Sequence, residues 1–464
     1  MTSYTMVLFG ASGDLSARKI IPTLYHMLRQ SPDINWALVG AAHEQLTVTQ
    51  MLERSIPFID SYDEDIFKKL IERSYYVTVD VHQSTHFDTL FSIVTDVEKR
   101  HNLSGSRIIY CATAQSLYCQ ITVQAARTEL AFKCAQSSFV WCRLVYEKPF
   151  GHNLESARAI NACIKNYFYE HQIYRVDHYL SKQLVRSIAL VRFSNALFEP
   201  LWNANYIKEI QIIMNESIDI ANRGAYYDNH GAIADVVQNH LLELLSLVAM
   251  ETPARLSGDD IREQRAHVLS CTRVTDILRG QYQGYTTSPY VDVNSTTETF
   301  AALALAVDNA RWQNVPFYIK TGKALFDKVS VIHVIFKAPE CLLTRSCPPD
   351  SNYLSLYISD DEGISITFNT AGVDDGQEIM PITLQFNYSQ IPDYRPIDPY
   401  MTLIFEIIRG DQSVAVRFDE IEYAWSIIDN AHVSTYPIYI YEKNSRGPRE
   451  LEIFEQQHAM RWLS

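Results

Sequence analysis

The chain carries several short segments whose residue types and spacing could do chemistry. The turn Gly10-Ala11-Ser12-Gly13-Asp14-Leu15 follows an apolar run and precedes a helical pattern. Glycines in such a turn let the backbone approach a pyrophosphate, whose charge meets the N-terminus of the next helix. The spacing is G-x-x-G, shorter than G-x-G-x-x-G, so an ordinary strand-to-helix turn stays open on this motif alone. Lys19 lies one helical turn further on. The second apolar run ends in Gly40-Ala41-Ala42-His43-Glu44. In a dinucleotide fold this is where the adenosine ribose is read. An acid there accepts from a 2′-hydroxyl, and an arginine accommodates a 2′-phosphate. No arginine follows before Arg54, and Glu44 would repel a 2′-phosphate; a solvated loop charge is the alternative.

Further along, Glu147-Lys148-Pro149-Phe150-Gly151 closes an apolar run. Lys-Pro at a strand end can hold a cis bond in a tight turn and aim Lys148 into a cleft. Arg175-Val176-Asp177-His178-Tyr179-Leu180-Ser181-Lys182 crowds polar groups and aromatics together. If it is helical from Asp177, His178 and Lys182 share a face. Two such donors and a tyrosine hydroxyl suit a phosphate monoester; a solvated helix start capped by Asp177 is the other reading. Asp235 and Gln238 fit a capping box. His240 sits beside the apolar stripe Val237, Leu241, Leu244, Val248, where a histidine is either a base or a satisfied core residue. Lys320, Lys323 and Lys328 form either a solvated face or local positive charge for an anion.

The elements that must position these groups fall in two regions. Residues 1–176 alternate strand and helix, with strands expected at 4–9, 36–40, 75–81, 107–112 and 139–146 and helices such as 18–28 and 87–99. That pattern predicts a parallel sheet covered on both faces, an α/β Rossmann-like domain. Residues 177–464 read as a larger α+β domain with a mainly antiparallel sheet. Strands are expected at 189–193, 206–215, 329–336, 353–358, 363–368, 382–386 and 414–418. Helices are expected at 236–250, 260–269 and 297–307, and loops at 373–378 and 391–399. No repeat of 20–50 residues is present.

Length and composition bound the rest. At about 150 residues per domain a chain of 464 residues suggests roughly three domains by length alone, which the large mixed second region reduces to two. Forty Lys and Arg against 54 Asp and Glu leave a net charge of −14, which argues against a nucleic-acid or anionic-membrane binder but not against a small basic site. No C-x-x-C pair occurs among the eight cysteines, which read as reduced, buried thiols of a cytoplasmic protein. No leader-like segment and no membrane-spanning apolar run is evident.

Taken in order, EKPFG at 147–151, RVDHYLSK at 175–182, DVVQNHLL at 235–242, NSTTETFAA at 294–302 and VPFYIKTGKAL at 315–325 resemble the glucose-6-phosphate dehydrogenase family, nearly end to end. The resemblance implies a dinucleotide-binding domain and a larger β+α domain with the active site between them. It implies oxidation of D-glucose 6-phosphate at C1 to 6-phospho-D-glucono-1,5-lactone, with hydride transfer to NAD or NADP and no metal. That reaction opens the oxidative pentose phosphate pathway. It makes His240 the general base and Asp177 the carboxylate that orients it. His178, Tyr179 and Lys182 match the 6-phosphate site, and Lys148, Glu216, Asp235, Lys323 and Lys328 match groups around the sugar. Gly10, Ser12, Gly13, Asp14 and Leu15 match the coenzyme turn, with Lys19, His43, Glu44 and Lys148 also near the coenzyme. It also implies a homodimer or homotetramer. The chain departs from the family at His43-Glu44, where an arginine is usual, and that favours NAD, alone or beside NADP. It departs again at Thr113-Ala114-Gln115, Ser181, Ala225 and Ala234. Another hexose 6-phosphate as substrate, or coenzyme and sugar-phosphate binding without turnover, are the competing expectations.

Overall fold

The computed structural model describes every residue except 1–2, 32–33, 339–350, 360, 372–378 and 464. Cys341, Cys347 and the loop expected at 373–378 lie outside the described residues. The chain forms two compact units. One is Met1–Ser181 with Ser257–Arg262 and Ile397–Glu422; the other is Lys182–Leu256 with Glu263–Pro396 and Tyr423–Ser464.

The first unit is built on β1 (Ser3–Phe9), β2 (Asn35–Ala42), β3 (Ser74–Thr78), β4 (Arg107–Cys111), β5 (Cys142–Glu147) and β6 (Ile173–Val176). These run parallel in the order β6-β5-β4-β1-β2-β3, the arrangement of the doubly wound dinucleotide fold. Tyr4 through Phe9 are all buried, as expected of a central strand covered by helices on both faces. The strand order reverses between β1 and β4, and there the carboxyl ends open a crevice. The break between the units lies at 181/182, not 176/177, and two later segments join the first unit. The helix Pro399–Arg409 is the reason. It lays Tyr400, Leu403, Ile404 and Ile407 into the apolar core formed with Met6, Leu8, Ile108 and Val145. Arg143 on β5 donates to the helix's terminal carbonyls of Ile407 and Ile408. The strand expected at 414–418 is only Ala415–Val416, and it pairs antiparallel with β6 in this sheet.

The second unit holds β7 (Ile207–Asn215), β8 (Thr272–Tyr282), β9 (Phe300–Val307), β10 (Pro316–Gly322), β11 (Val329–Phe336), β12 (Tyr353–Tyr357), β13 (Gly363–Ala371) and β14 (Ile379–Asn387). Their order is β14-β13-β12-β11-β7-β10-β9-β8, closed by the strand Ile438–Tyr441 beside β8. The sheet is mainly antiparallel. Two pairs in it are parallel: β7 with β10, and β8 with the strand Ile438–Tyr441. Two element expectations fail. Residues 189–193 belong to the helix Gln183–Phe193, because so short a mostly apolar stretch carries no period that separates strand from helix. Residues 300–307 form β9, not a helix. Its alanines fit a strand paired on both sides and buried almost throughout, so tertiary position overrides helix propensity.

The cysteine expectation is also corrected. Cys119 and Cys163 form a disulfide between the helices Tyr118–Arg127 and Leu154–Tyr167, a pairing 44 residues apart that no local motif announces. Cys111 and Cys142 are buried free thiols. Burial pushes the Cys142 thiol up to about 12. Among the described residues no helix is long and apolar enough to cross a membrane.

Candidate active site

In the first unit, the turn after β1 is shaped by a backbone only glycine tolerates. Gly10 has φ of +78°, and a Cβ there would lie 2.2 Å from the Ala112 carbonyl oxygen beyond β4. The Gly10 N–H reaches Ala41 O at 2.9 Å and Gly13 N–H returns to Gly10 O at 2.9 Å, so the turn is closed on itself at the sheet's crevice. Ser16 donates to Gly10 O at 2.8 Å. Asp14 pairs with Arg18 at 2.5 Å, and Lys19 lies 3.5 Å from Asp398. A tight glycine turn against a strand end, followed by helix, fits a pyrophosphate. At the end of β2, His43 is exposed and Glu44 is half-buried. Arg54, at the end of the helix Val48–Glu53, grips the Glu44 carboxylate with both Nη atoms at 2.6 and 2.9 Å. That ion pair holds the Glu44 carboxyl below the usual carboxylate range, chiefly through its hydrogen bond to Arg54.

The Lys148–Pro149 bond is cis, as the motif suggested. Beside it, Glu147 is buried, and its carboxylate accepts from Tyr110 at 2.6 Å. Loss of water pushes Glu147 up to about 7, against the opposing effects of Tyr110 and Lys148. The segment after β6 is a turn, not a helix. Asp177 Oδ1 accepts the Tyr179 N–H at 2.9 Å, Leu180 N–H reaches Asp177 O at 3.1 Å, and the helix begins at Gln183. The expected helical spacing of His178 and Lys182 is therefore absent. A short polar side chain bonding its own backbone two residues on favours a turn over a helix start. The His178 ring stacks on Tyr400 at 6.2 Å and tilts against Tyr179 at 5.0 Å.

In the second unit, strand register collects the sugar-facing candidates. β7 and β10 run parallel and end together, with Gly322 opposite Asn215. β11 begins there too, with Val329 opposite Asn215. The residues just past or before these ends, Glu216, Lys323 and Lys328, therefore share one edge of the sheet. Lys323 and Glu216 make an ion pair, and Asn215 donates to Asp327 at 2.9 Å. Lys320 does not join them. Its ammonium is buried 4.7 Å from the Trp462 ring, in a cavity of about 660 Å³ that Asn215 and Asp327 also line, and loss of water pulls it down to about 8.

Asp235 and His240 stand on a wide-turned helix, Ile233–Leu241, continued by the α-helix Leu242–Ala249. The N-cap is Ala232 rather than Asp235, so the capping box is not formed; Asp235 accepts from Tyr226 at 3.3 Å instead. At the helix start, the Ile233 N–H donates to Glu298 Oε1 at 3.1 Å. His240 is buried, and Val237, Leu241, Leu244 and Val248 are all in the core. The far end of this helix is buried as well, and its last carbonyls are satisfied by side chains. Arg192 and Trp202 donate to Val248 O at 2.8 and 2.9 Å, and Trp312 to Ala249 O at 2.7 Å. Those bonds fix the register that presents His240. Lys182, half-buried, donates to Ile358 O at 3.0 Å, and Glu362 accepts the Leu184 N–H at 2.6 Å.

The model of the glucose-6-phosphate dehydrogenase NAD binding domain matches residues 7–187, and that of the glucose-6-phosphate dehydrogenase C-terminal domain matches 189–463. The chain belongs to the glucose-6-phosphate dehydrogenase family. Its relatives include the glucose-6-phosphate 1-dehydrogenases of Treponema pallidum, 34% identical over 99% of this chain and 95% of theirs, and of Bacillus subtilis, 34% identical over 98% and 97%. The glucose-6-phosphate 1-dehydrogenase crystal structure from Mycobacterium avium is 32% identical, covers 100% of this chain and 99% of its own, and superposes with a TM-score of 0.87. A glucose-6-phosphate dehydrogenase in complex with its substrate glucose 6-phosphate is 27% identical with a TM-score of 0.90, at 100% and 99% coverage. Gln115 accepts the Gly151 N–H at 2.7 Å, tying the 113–115 segment to the EKPFG turn. Glu362 and Tyr400 are neighbours of the candidate residues that sequence reasoning passed over. Gln115 was noted only as part of the 113–115 departure, and Arg54 only as the first arginine after β2.

Proposed function

We propose that this member of the family oxidises D-glucose 6-phosphate at C1 to 6-phospho-D-glucono-1,5-lactone. The observation that carries the reading is the end-to-end family match together with a buried His240 on a helix anchored at both ends. A bound nicotinamide dinucleotide supplies the hydride acceptor. His240 takes the proton of the C1 hydroxyl, and Asp177 favours the imidazolium that results, in the manner of a triad carboxylate. His178, Tyr179 and Lys182 hold the 6-phosphate. Lys148, Glu216, Asp235, Lys323 and Lys328 orient the ring hydroxyls; the Lys323–Glu216 pair supports this by offering one donor and one acceptor side by side. The turn at Gly10, Ser12, Gly13, Asp14 and Leu15, with Lys19 and Lys148, receives the coenzyme diphosphate. Glu44, with His43 beside it, receives the adenosine ribose, and NAD is used alongside NADP.

We also infer that the protein self-associates. Support comes from β14, the terminal strand of its sheet, where Met380, Ile382, Leu384 and Phe386 alternate on one face and remain exposed. Such a row is what a second copy would cover.

Replacing His240 by Asn tests the catalytic assignment. The value of kcat should fall by about 10²–10⁴-fold with KM for glucose 6-phosphate little changed. An undiminished kcat would remove His240 from the base role.

A further inference from the structure

Residue 43 is a histidine, so a coenzyme 2′-phosphate has no cation at the customary place. The structure supplies one from elsewhere in the first unit. Gly40 lacks a side chain where the helix Val48–Glu53 crosses β2; a Cβ would lie 2.5 Å from Met51 Sδ. The helix is fixed there by its capping box, Thr47 with Gln50, and by the buried Met51 and Leu52. Its end places Arg54 against Glu44. The same guanidinium donates to Ser12 O at 3.1 Å, so it touches both the glycine turn and the ribose-reading end of β2. The Tyr76 hydroxyl donates to Glu44 O at 2.6 Å and fixes the backbone beneath.

We propose that Arg54 is the group that admits a 2′-phosphate, and that its pairing with Glu44 sets the balance between NAD and NADP. This rests on the reading that the end of β2 receives the adenosine ribose. With a ribose diol, Glu44 accepts the hydroxyl hydrogens and Arg54 stays on its carboxylate. With a 2′-phosphate, Arg54 exchanges the carboxylate for the phosphate oxygens, a bidentate partner of the same geometry. The exchange is cheap because the two side chains are 39% and 41% exposed, and water and salt leave an exposed ion pair only weakly held together.

The test is calorimetric titration of the full chain with 5′-AMP and with 2′,5′-ADP, which differ by the 2′-phosphate alone. The readout is the ratio of the two dissociation constants. Glu44→Gln should shift it toward 2′,5′-ADP by about tenfold or more. Arg54→Gln should shift it the other way, and the double variant should lose the gain of Glu44→Gln. A double variant that keeps the gain overturns the role of Arg54 while leaving the ribose reading in place. If no variant changes either constant, the ribose reading falls together with the inference.

Discussion

Glu147 is the residue where burial and charge conflict most openly in the first unit. It stands beside Lys148 with one hydroxyl donor, Tyr110, and its carboxyl is pushed up to about 7. An acid whose folded pKa exceeds its unfolded one keeps its proton in the folded state after the unfolded chain has lost it. Its contribution to stability is then complete below the ordinary carboxylate range and is lost as pH rises toward 7. Integrated over that window the loss is about 3 kcal/mol. Denaturant titrations of the wild type and Glu147→Gln should therefore converge near pH 4 and separate as pH rises, with the variant gaining relative to the wild type. A constant difference between them would show that Glu147 ionises normally. At this scale residue type and order single out Lys148, Asp177, His178, Lys182 and His240 as candidates, and the cis bond before Pro149 was legible in the Lys-Pro motif. Some neighbours of those candidates were not legible. Glu362 and Tyr400 lie more than a hundred residues from Leu184 and His178, which they touch, and nothing local marks them.

At the scale of elements, strand register explains what spacing could not. Glu216, Lys323 and Lys328 sit far apart in sequence, yet they share an edge because β7, β10 and β11 begin or end in register. The parallel sheet of the first unit was readable from its alternating strands and helices. β9 was not, because its alanine-rich run has helix propensity and only its place between β8 and β10 makes it a strand. The helix start at Gln183 was hidden for the opposite reason: Asp177 uses its carboxylate on its own turn. β14 carries a prediction of its own. If its exposed apolar row is the self-association face, Leu384→Glu should lower the sedimentation-derived mass to that of the monomer without lowering the melting temperature of the fold by more than a few degrees. A variant that stays in the wild-type assembly would place the interface elsewhere.

For the whole molecule, the division into two units was anticipated, but their composition was not. Ile397–Glu422 returns from the far end of the chain to complete the first unit's core, and no sequence signal separates that stretch from its neighbours. The net charge of −14 is compatible with anionic ligands because the cations assigned to them are few and placed by particular elements: Lys19, Lys148, Lys182, Lys323, Lys328 and, by the inference above, Arg54. The most direct measurement is the rate of nicotinamide reduction when purified protein is given glucose 6-phosphate with NAD and, separately, with NADP. The account predicts turnover with both coenzymes and kcat/KM values within about tenfold of each other, a difference of ~1.4 kcal/mol. No absorbance change with either coenzyme would contradict it.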